Sequence, residues 1–410
     1  MVTLGPLVRN AFAHRRQRLA EGIPRAFWAL LAGTFVTKAG SFVVPMLFIY
    51  LTQARGLSLA AAGTTVSLYG VGSLVGSLLG GILADRIGRR ATMLASLVLS
   101  AVFMLALGAA TTVWQLAPAT LFLGFASDAY RPASQALVAD IVPPAHRMKA
   151  FGLQYWAINL GFSFAALVGG YMARRNFGLL FLGDAATTLV LAGVVWRAVP
   201  ESRPAPTGEA SRGSLLTPFG DPVFAPFLLL NFLTALIFFQ HFTALPEDMR
   251  SKGLSSEEFG VALASNGLLI VLLQPWITQR VTHVPRARLL AASAALTGLG
   301  FGLTTFAYSL GTYMLTVAVW TLGEMVCAPV NGSLVADLSP THARGRYQGA
   351  FTITWSLAFM VSPLLGPRLV EATSLRTTWL ACLGVGLAIA VAHLTVTSRL
   401  LARSTASPQS

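Results

Sequence analysis

The sequence predicts an all-α membrane protein, with twelve transmembrane helices in two pseudo-symmetric six-helix bundles. Three observations predict it. Mean hydropathy is +0.67, with 55% apolar and only 11% charged residues, far from the roughly 25% charged residues of soluble domains. Twelve apolar runs are each long enough to cross a hydrocarbon core of ~30 Å as a helix. The second half of the chain also repeats the first at a constant shift of 197 residues.

The runs fall at 26–50, 59–84, 92–112, 115–139, 150–172 and 178–198, then at 222–245, 258–279, 288–308, 312–336, 348–370 and 376–398. Residues 1–25 precede them as a basic tail. The first run is too long for a signal peptide and contains Lys38, so no leader is expected there. Between the halves, 199–221 carries Pro200, Pro204, Pro206, Gly208, Ser211 and Gly213, the composition of a linker. Residues 399–410 form a short second tail. The 38 glycines suit close helix approach in lipid. Cys327 and Cys382 both lie in apolar runs and are expected to pack.

The net charge of +14 is a topology signal. With the N-terminus inside, the inner segments hold 20 Lys and Arg and the outer loops 7, with Lys38 and Arg131 inside spans. That imbalance puts both termini in the cytoplasm of a cell (plasma or inner) membrane. It also removes the motive for nucleic-acid binding.

The repeat is read from separate places. Leu137-Val138-Ala139-Asp140 with Pro143 returns as Leu334-Val335-Ala336-Asp337 with Pro340. Pro132 meets Pro329, Arg147 meets Arg344, Lys149 meets Arg346, and Gly56-Leu57-Ser58 meets Gly253-Leu254-Ser255. An even number of spans per half makes these parallel repeats, related by an axis along the membrane normal and enclosing one central path.

Between spans 2 and 3 the chain reads Gly81-Ile82-Leu83-Ala84-Asp85-Arg86-Ile87-Gly88-Arg89-Arg90. Gly81 permits close packing, Gly88 a sharp turn, and Asp85 can face a helix N-terminus. In residues and in place this run resembles the loop signature of the major facilitator superfamily. The resemblance implies that fold, and a charge latch made of Gly81, Asp85, Arg86, Gly88, Arg89 and Arg90 that breaks and re-forms between inward-open and outward-open states. The repeat counterpart, Gln274 to Arg280, has Gln279 in place of Asp85, so the second latch is degenerate.

Three further stretches resemble the drug:proton antiporter branch: Asp128 to Ala133 in span 4, Gly323-Glu324-Met325 in span 10, and Tyr155 to Phe162 in span 5. That branch usually carries G-x-x-x-G-P-x-x-G-G in span 5. Here Gly161, Gly169 and Gly170 are kept, while Ala165 and Ala166 take the Gly-Pro positions. The second half has Ser362-Pro363 and then Gly366 at the equivalent place.

Ionisable groups at bilayer depth are costly and mark pathways. They are Lys38, Asp128, Arg131, Asp184 and Glu324. Asp128, Arg131 and Gln135 are spaced i, i+3, i+7 on one helix face. Asp128 and Lys38 come out at similar depths, roughly 16 and 18 Å from the inner side at 1.5 Å per residue. A charged cluster of Asp128, Arg131 and Lys38 is the functional reading, and a structural Asp128–Arg131 ion pair the alternative. A proton carrier needs a carboxylate that burial raises toward neutral and that no adjacent cation pulls back. Asp128 is ranked first, Glu324 second, and Asp184, placed near the outer third and facing loops, third. Gln154, Asn159, Asn231, Gln240, His241, Asn266 and Gln274 are candidates for the path or for interhelical hydrogen bonds.

The expected function is secondary active transport: proton-coupled efflux of a hydrophobic or cationic small molecule, multidrug-type, by alternating access. Rival readings are uptake or export of one metabolite, and a receptor or scaffold on the same fold. No nucleotide loop, metal-spaced cluster or nucleophile elbow points to an enzyme. No cofactor is expected beyond a proton gradient. The expected partners are a small-molecule substrate, protons and the lipid bilayer, with the protein a monomer.

Overall fold

The computed structural model describes residues 23–143, 146–201, 217–222, 224–281, 283–339 and 344–397. Most of the predicted tails and of the 199–221 linker lies outside the described residues.

Among them, eleven helical segments are long and apolar enough to cross a membrane. The protein is therefore a multi-pass membrane protein. The segment Val113–Ile141 is 29 residues long, ample for the hydrocarbon core. Gln115, Asp128, Arg131 and Gln135 dilute its apolar residues, so it is not one of the eleven. The long helix that falls short of that apolar measure is thus the one that carries the predicted charged face.

The first apolar run is not one helix. α1 (Arg25–Ala39) ends at Gly40, and α2 (Val43–Ile49) starts afresh and runs into a π-helical turn at Tyr50–Ala54. The interruption has a cause. The Gly40 backbone lies so close to Thr187 that any Cβ there would overlap its side chain. The freed N-terminus of α2 finds an acceptor in Asp184, whose Oδ2 takes the Val43 N–H at 3.1 Å. α3 (Leu59–Arg86) opens on Ser58, which accepts from the Ala61 N–H at 3.2 Å. Gly88, at φ 107°, makes the turn into α4 (Arg89–Ala109). α5 (Val113–Ile141) starts with a Thr112/Gln115 capping box. α6 (Arg147–Arg175) and α7 (Phe177–Ala198) follow.

The second half begins with α8 (Phe224–Phe238), a 3-10 turn at Phe239–Phe242, and α9 (Ala244–Ser251). This break falls where the first half has its own. The run predicted to end at 245 therefore continues to Ser251. α10 (Ser256–Val281), α11 (Arg286–Leu303), α12 (Leu310–Leu338), α13 (Arg344–Ala372) and α14 (Leu375–Ala392) complete the chain.

Small residues set the close approaches. Gly72, Gly76 and Gly80 of α3 lie one turn apart, each against a backbone carbonyl of α5 (Leu121, Phe125 and Ala129). Gly81 is not part of this row, since a Cβ there would meet only Pro132, at 3.9 Å. The close packing expected of Gly81 belongs to Gly80.

Helices before residue 199 meet those after residue 223 mainly along two seams, α3 with α13 and α6 with α10. Their contacts recur at the 197-residue shift with the parts exchanged. Gly63 abuts the Pro363 carbonyl, and Gly260 abuts the Ala166 carbonyl. Gly70 packs on Met360, and Gly267 on Ser163. The positions where the span-5 signature departs from its pattern are thus seam positions. Ala166 and Pro363 each present a carbonyl to a glycine of the other half.

Candidate functional site

Polar ties join the two halves at one end of the seams. There Arg174 pairs with Glu257 at 2.7 Å, the Ala60 N–H donates to Glu371 at 2.8 Å, and Arg368 donates to Thr64 at 3.2 Å. Toward the opposite end, which carries the 81–90 loop, Asp85, Arg86, Phe151, Tyr155 and Trp156 are exposed, and no atom lies within 4 Å of where a Cβ on Gly152 or Gly349 would sit.

On the first-half wall, Arg131 and Gln135 of α5 are exposed and Asp128 is half-buried. The three lie on one face of α5, as their spacing requires. Asp128 accepts a hydrogen bond from the Ser73 hydroxyl of α3. Among the described residues no ion pair joins Asp128 to Arg131. Lys38, at the end of α1, is exposed, lies against Gly161 of α6, and is within electrostatic reach of Asp128, Arg131 and Asp184. Lys38, Asp128 and Arg131 thus share one neighbourhood. Ser73 is the member that the sequence reading missed. A serine in an apolar helix carries no signal, although the Gly72/Gly76/Gly80 row marks that side of α3 as facing α5.

Asp184 is 3% exposed and takes the Val43 N–H at the start of α2, beside the 41–42 connection. Glu324 on α12 accepts from the Asn266 amide of α10 at 2.9 Å, and the same amide reaches Thr321 at 3.0 Å. Tyr155 of α6 lies within electrostatic reach of Glu324, across the seam.

The remaining candidates divide. Gln154 and Asn159 are half-buried on α6, with the Asn159 amide donating to the Tyr155 carbonyl at 2.9 Å. Asn231 donates to Thr354 at 2.6 Å and Gln240 to Ser362 at 2.9 Å, so both tie span 7 to α13. His241 is buried against the Phe238 carbonyl. Gln274 donates to the Met325 carbonyl at 3.0 Å. These are interhelical or local bonds of the ordinary kind.

In the 81–90 loop, Arg89 pairs with Asp140 at the end of α5, at 2.9 Å, and Arg90 donates to the Trp196 carbonyl. The N-terminus of α4 is held by Glu201, which accepts from the Arg90 and Ala91 N–H groups at 3.0 and 3.1 Å. Asp85 itself is exposed. Glu201 went unread because it lies just past the last apolar residue of its span. Asp248 was missed for a similar reason. It is 1% exposed and receives Lys252 at 2.9 Å and the Tyr313 hydroxyl at 2.5 Å, in a stretch that the sequence placed outside the span.

The sequence profile of the Major Facilitator Superfamily matches residues 30–247 and 227–409. The chain belongs to this superfamily. It is 27% identical over 381 residues to the "Na(+), Li(+), K(+)/H(+) antiporter" of Planococcus maritimus, covering 84% of this chain and 89% of that protein. It is 24% identical over 378 residues to "Multidrug resistance protein 1" of Bacillus subtilis (strain 168), covering 88% and 95%. The fold is also that of a POT family transporter crystallised with 5-aminolevulinic acid, at a TM-score of 0.79 and 17% identity, over 92% of this chain and 97% of that one. The protein is thus a major facilitator transporter with a small-molecule substrate.

Proposed function

We propose that this transporter is a proton-coupled exporter of hydrophobic or cationic small molecules. It works by alternating access between two six-helix halves, 26–198 and 222–398, with twelve spans and both termini in the cytoplasm of the cell membrane. One observation carries the reading: ionisable side chains from α1 and α5, Lys38, Asp128 and Arg131, lie within electrostatic reach of one another inside membrane-crossing helices, and the halves are tied at the Arg174 end. A group there meets one side of the membrane at a time when the halves rock. The relatives named as a multidrug resistance protein and as a cation/proton antiporter support it.

Asp128 is the first proton carrier and Glu324 the second. Asp184 is set aside, because its carboxylate is engaged in holding α2. In this reading Asp85 and Arg86, which are exposed, form the movable part of the latch, while Arg89 and Arg90, bonded within their own half, form its fixed part.

A second reading has its own support. Lys38 and Arg131 outnumber Asp128 on the exposed wall, which suits one metabolite carrying an anionic group. Purified protein in liposomes with an internal pH-sensitive dye separates the two. Proton movement triggered by lipophilic cations, and lost in Asp128→Asn, supports the exporter reading. A response confined to carboxylated compounds replaces it with the second.

A further inference from the structure

The second half holds a small, partly open cavity of about 30 Å³. This has room for one or two waters or an unhydrated small ion, and is too small for an organic substrate. Its polar wall holds Glu324, Asn231, Thr234, Ser293, Thr297, Cys327 and Asn331. Asn231 and Asn331 are each 6% exposed, Ser293 3% and Thr297 4%, so four buried neutral polar residues share this wall with one carboxylate. Phe238 and Trp355 close the apolar side, and His393 is the one further titratable group on the wall besides Cys327. Among the described residues no Lys or Arg lines it.

The orientation of the amides matters. The Asn231 Nδ2 donates to Thr354 at 2.6 Å, and the Asn331 Nδ2 to Cys327 Sγ at 2.9 Å. The Asn266 Nδ2 holds one Glu324 oxygen at 2.9 Å. With their N–H groups engaged in the wall, Asn231 and Asn331 have carbonyl oxygens to offer, beside two hydroxyl oxygens and the carboxylate. A wall of acceptor oxygens with one negative charge matches a cation stripped of its water, since carbonyl and carboxylate oxygens replace a hydration shell. Hard oxygen donors select hard ions. No group of three or more His, Cys, Asp or Glu among the described residues offers a transition-metal site.

We propose that this cavity is a binding site for a small alkali cation, Na⁺ or Li⁺, held by the Glu324 carboxylate and by side-chain oxygens from α8, α11 and α12. It rests on the transporter reading for its role in coupling, where the cation and a proton would exclude each other at Glu324. The binding itself needs no transported compound.

The test is thermal unfolding of the purified full-length protein in detergent at alkaline pH and constant ionic strength, with choline replaced stepwise by Li⁺, Na⁺, K⁺ or Cs⁺. A ligand that binds only the folded state raises Tm saturably. The site predicts a saturable rise with Li⁺ and Na⁺, a much smaller one with Cs⁺, loss in Glu324→Gln, and partial return in Glu324→Asp. Asn331→Ala, which keeps the charge, shifts half-saturation at least tenfold and serves if Glu324→Gln does not fold. A rise that is equal for all four ions, absent for all, or unchanged in Glu324→Gln or Asn331→Ala overturns the proposal. Because no substrate or gradient is used, failure here leaves the efflux reading standing. Failure of the liposome assay leaves this one standing.

Discussion

Arg174 and Glu257 meet at 2.7 Å across the α6–α10 seam, and 197 positions from each, Glu371 takes the Ala60 N–H across the α3–α13 seam. The two ties are related by the internal repeat but use different chemistry, a side-chain ion pair in one case and a capped helix N-terminus in the other. The Arg174 and Glu257 side chains are 64% and 37% exposed, and exposed pairs contribute only about 0–1 kcal/mol. The glycine contacts beneath them are buried and made to backbone. The seal therefore rests on packing. Arg174→Ala should shift the balance of states less than fivefold. Gly260→Leu or Gly63→Leu, with no flexible side chain to push aside, should hold the outer end apart. Spin-label distances between the outer ends of α6 and α10 read both, and a large opening in Arg174→Ala would reverse the assignment.

Among the described residues, the Ser73 hydroxyl is the one hydrogen-bond donor to the Asp128 carboxylate. Hydrogen bonds between helices in a bilayer average about 0.6 kcal/mol and reach about 1.7. Ser73→Ala should therefore slow proton-coupled transport by no more than about twentyfold, with folding intact. Asp128→Asn should abolish coupling. Equal loss in both would make Ser73 part of the proton path.

Asp184 tests the difference between a cap and a carrier. Leaving the Val43 N–H buried without an acceptor costs about 1–3 kcal/mol. Asp184→Ala should lower Tm accordingly. Asp184→Asn keeps an acceptor oxygen, so it should stay close to wild type in both Tm and proton flux. Loss of flux in a stable Asp184→Asn would restore it as a carrier.

The charged wall was legible because Lys38, Asp128 and Arg131 interrupt apolar runs, and helical spacing then placed Asp128, Arg131 and Gln135 on one face. The repeat was legible from matched tetrapeptides, and it carries into the seams. The break after Ala39 went unread although Gly40, Ser41 and Pro45 signal it, because the run around it stays apolar enough to count as one span and its partners, Thr187 and Asp184, are about 145 positions away. Glu201 and Asp248 fell just beyond the boundaries that hydropathy sets. Ser293, Thr297 and Asn331 are common residues in membrane helices, and only their convergence on one cavity singles them out.

Gly80 and Gly81 separate motif from packing. A side chain on Gly80 would collide with the Ala129 backbone of α5, whereas a methyl on Gly81 meets Pro132 at an ordinary 3.9 Å. Ala also favours a helix over Gly by about 1 kcal/mol. Gly81→Ala should therefore fold at least as well as wild type, and Gly80→Val should not. If Gly81→Ala is stable yet transports poorly, Gly81 is needed in another state of the transport cycle. Locked spin-label distances at the end that carries the 81–90 loop would then show the halves unable to meet. Normal transport in Gly81→Ala would instead leave Gly80 as the glycine that this loop depends on.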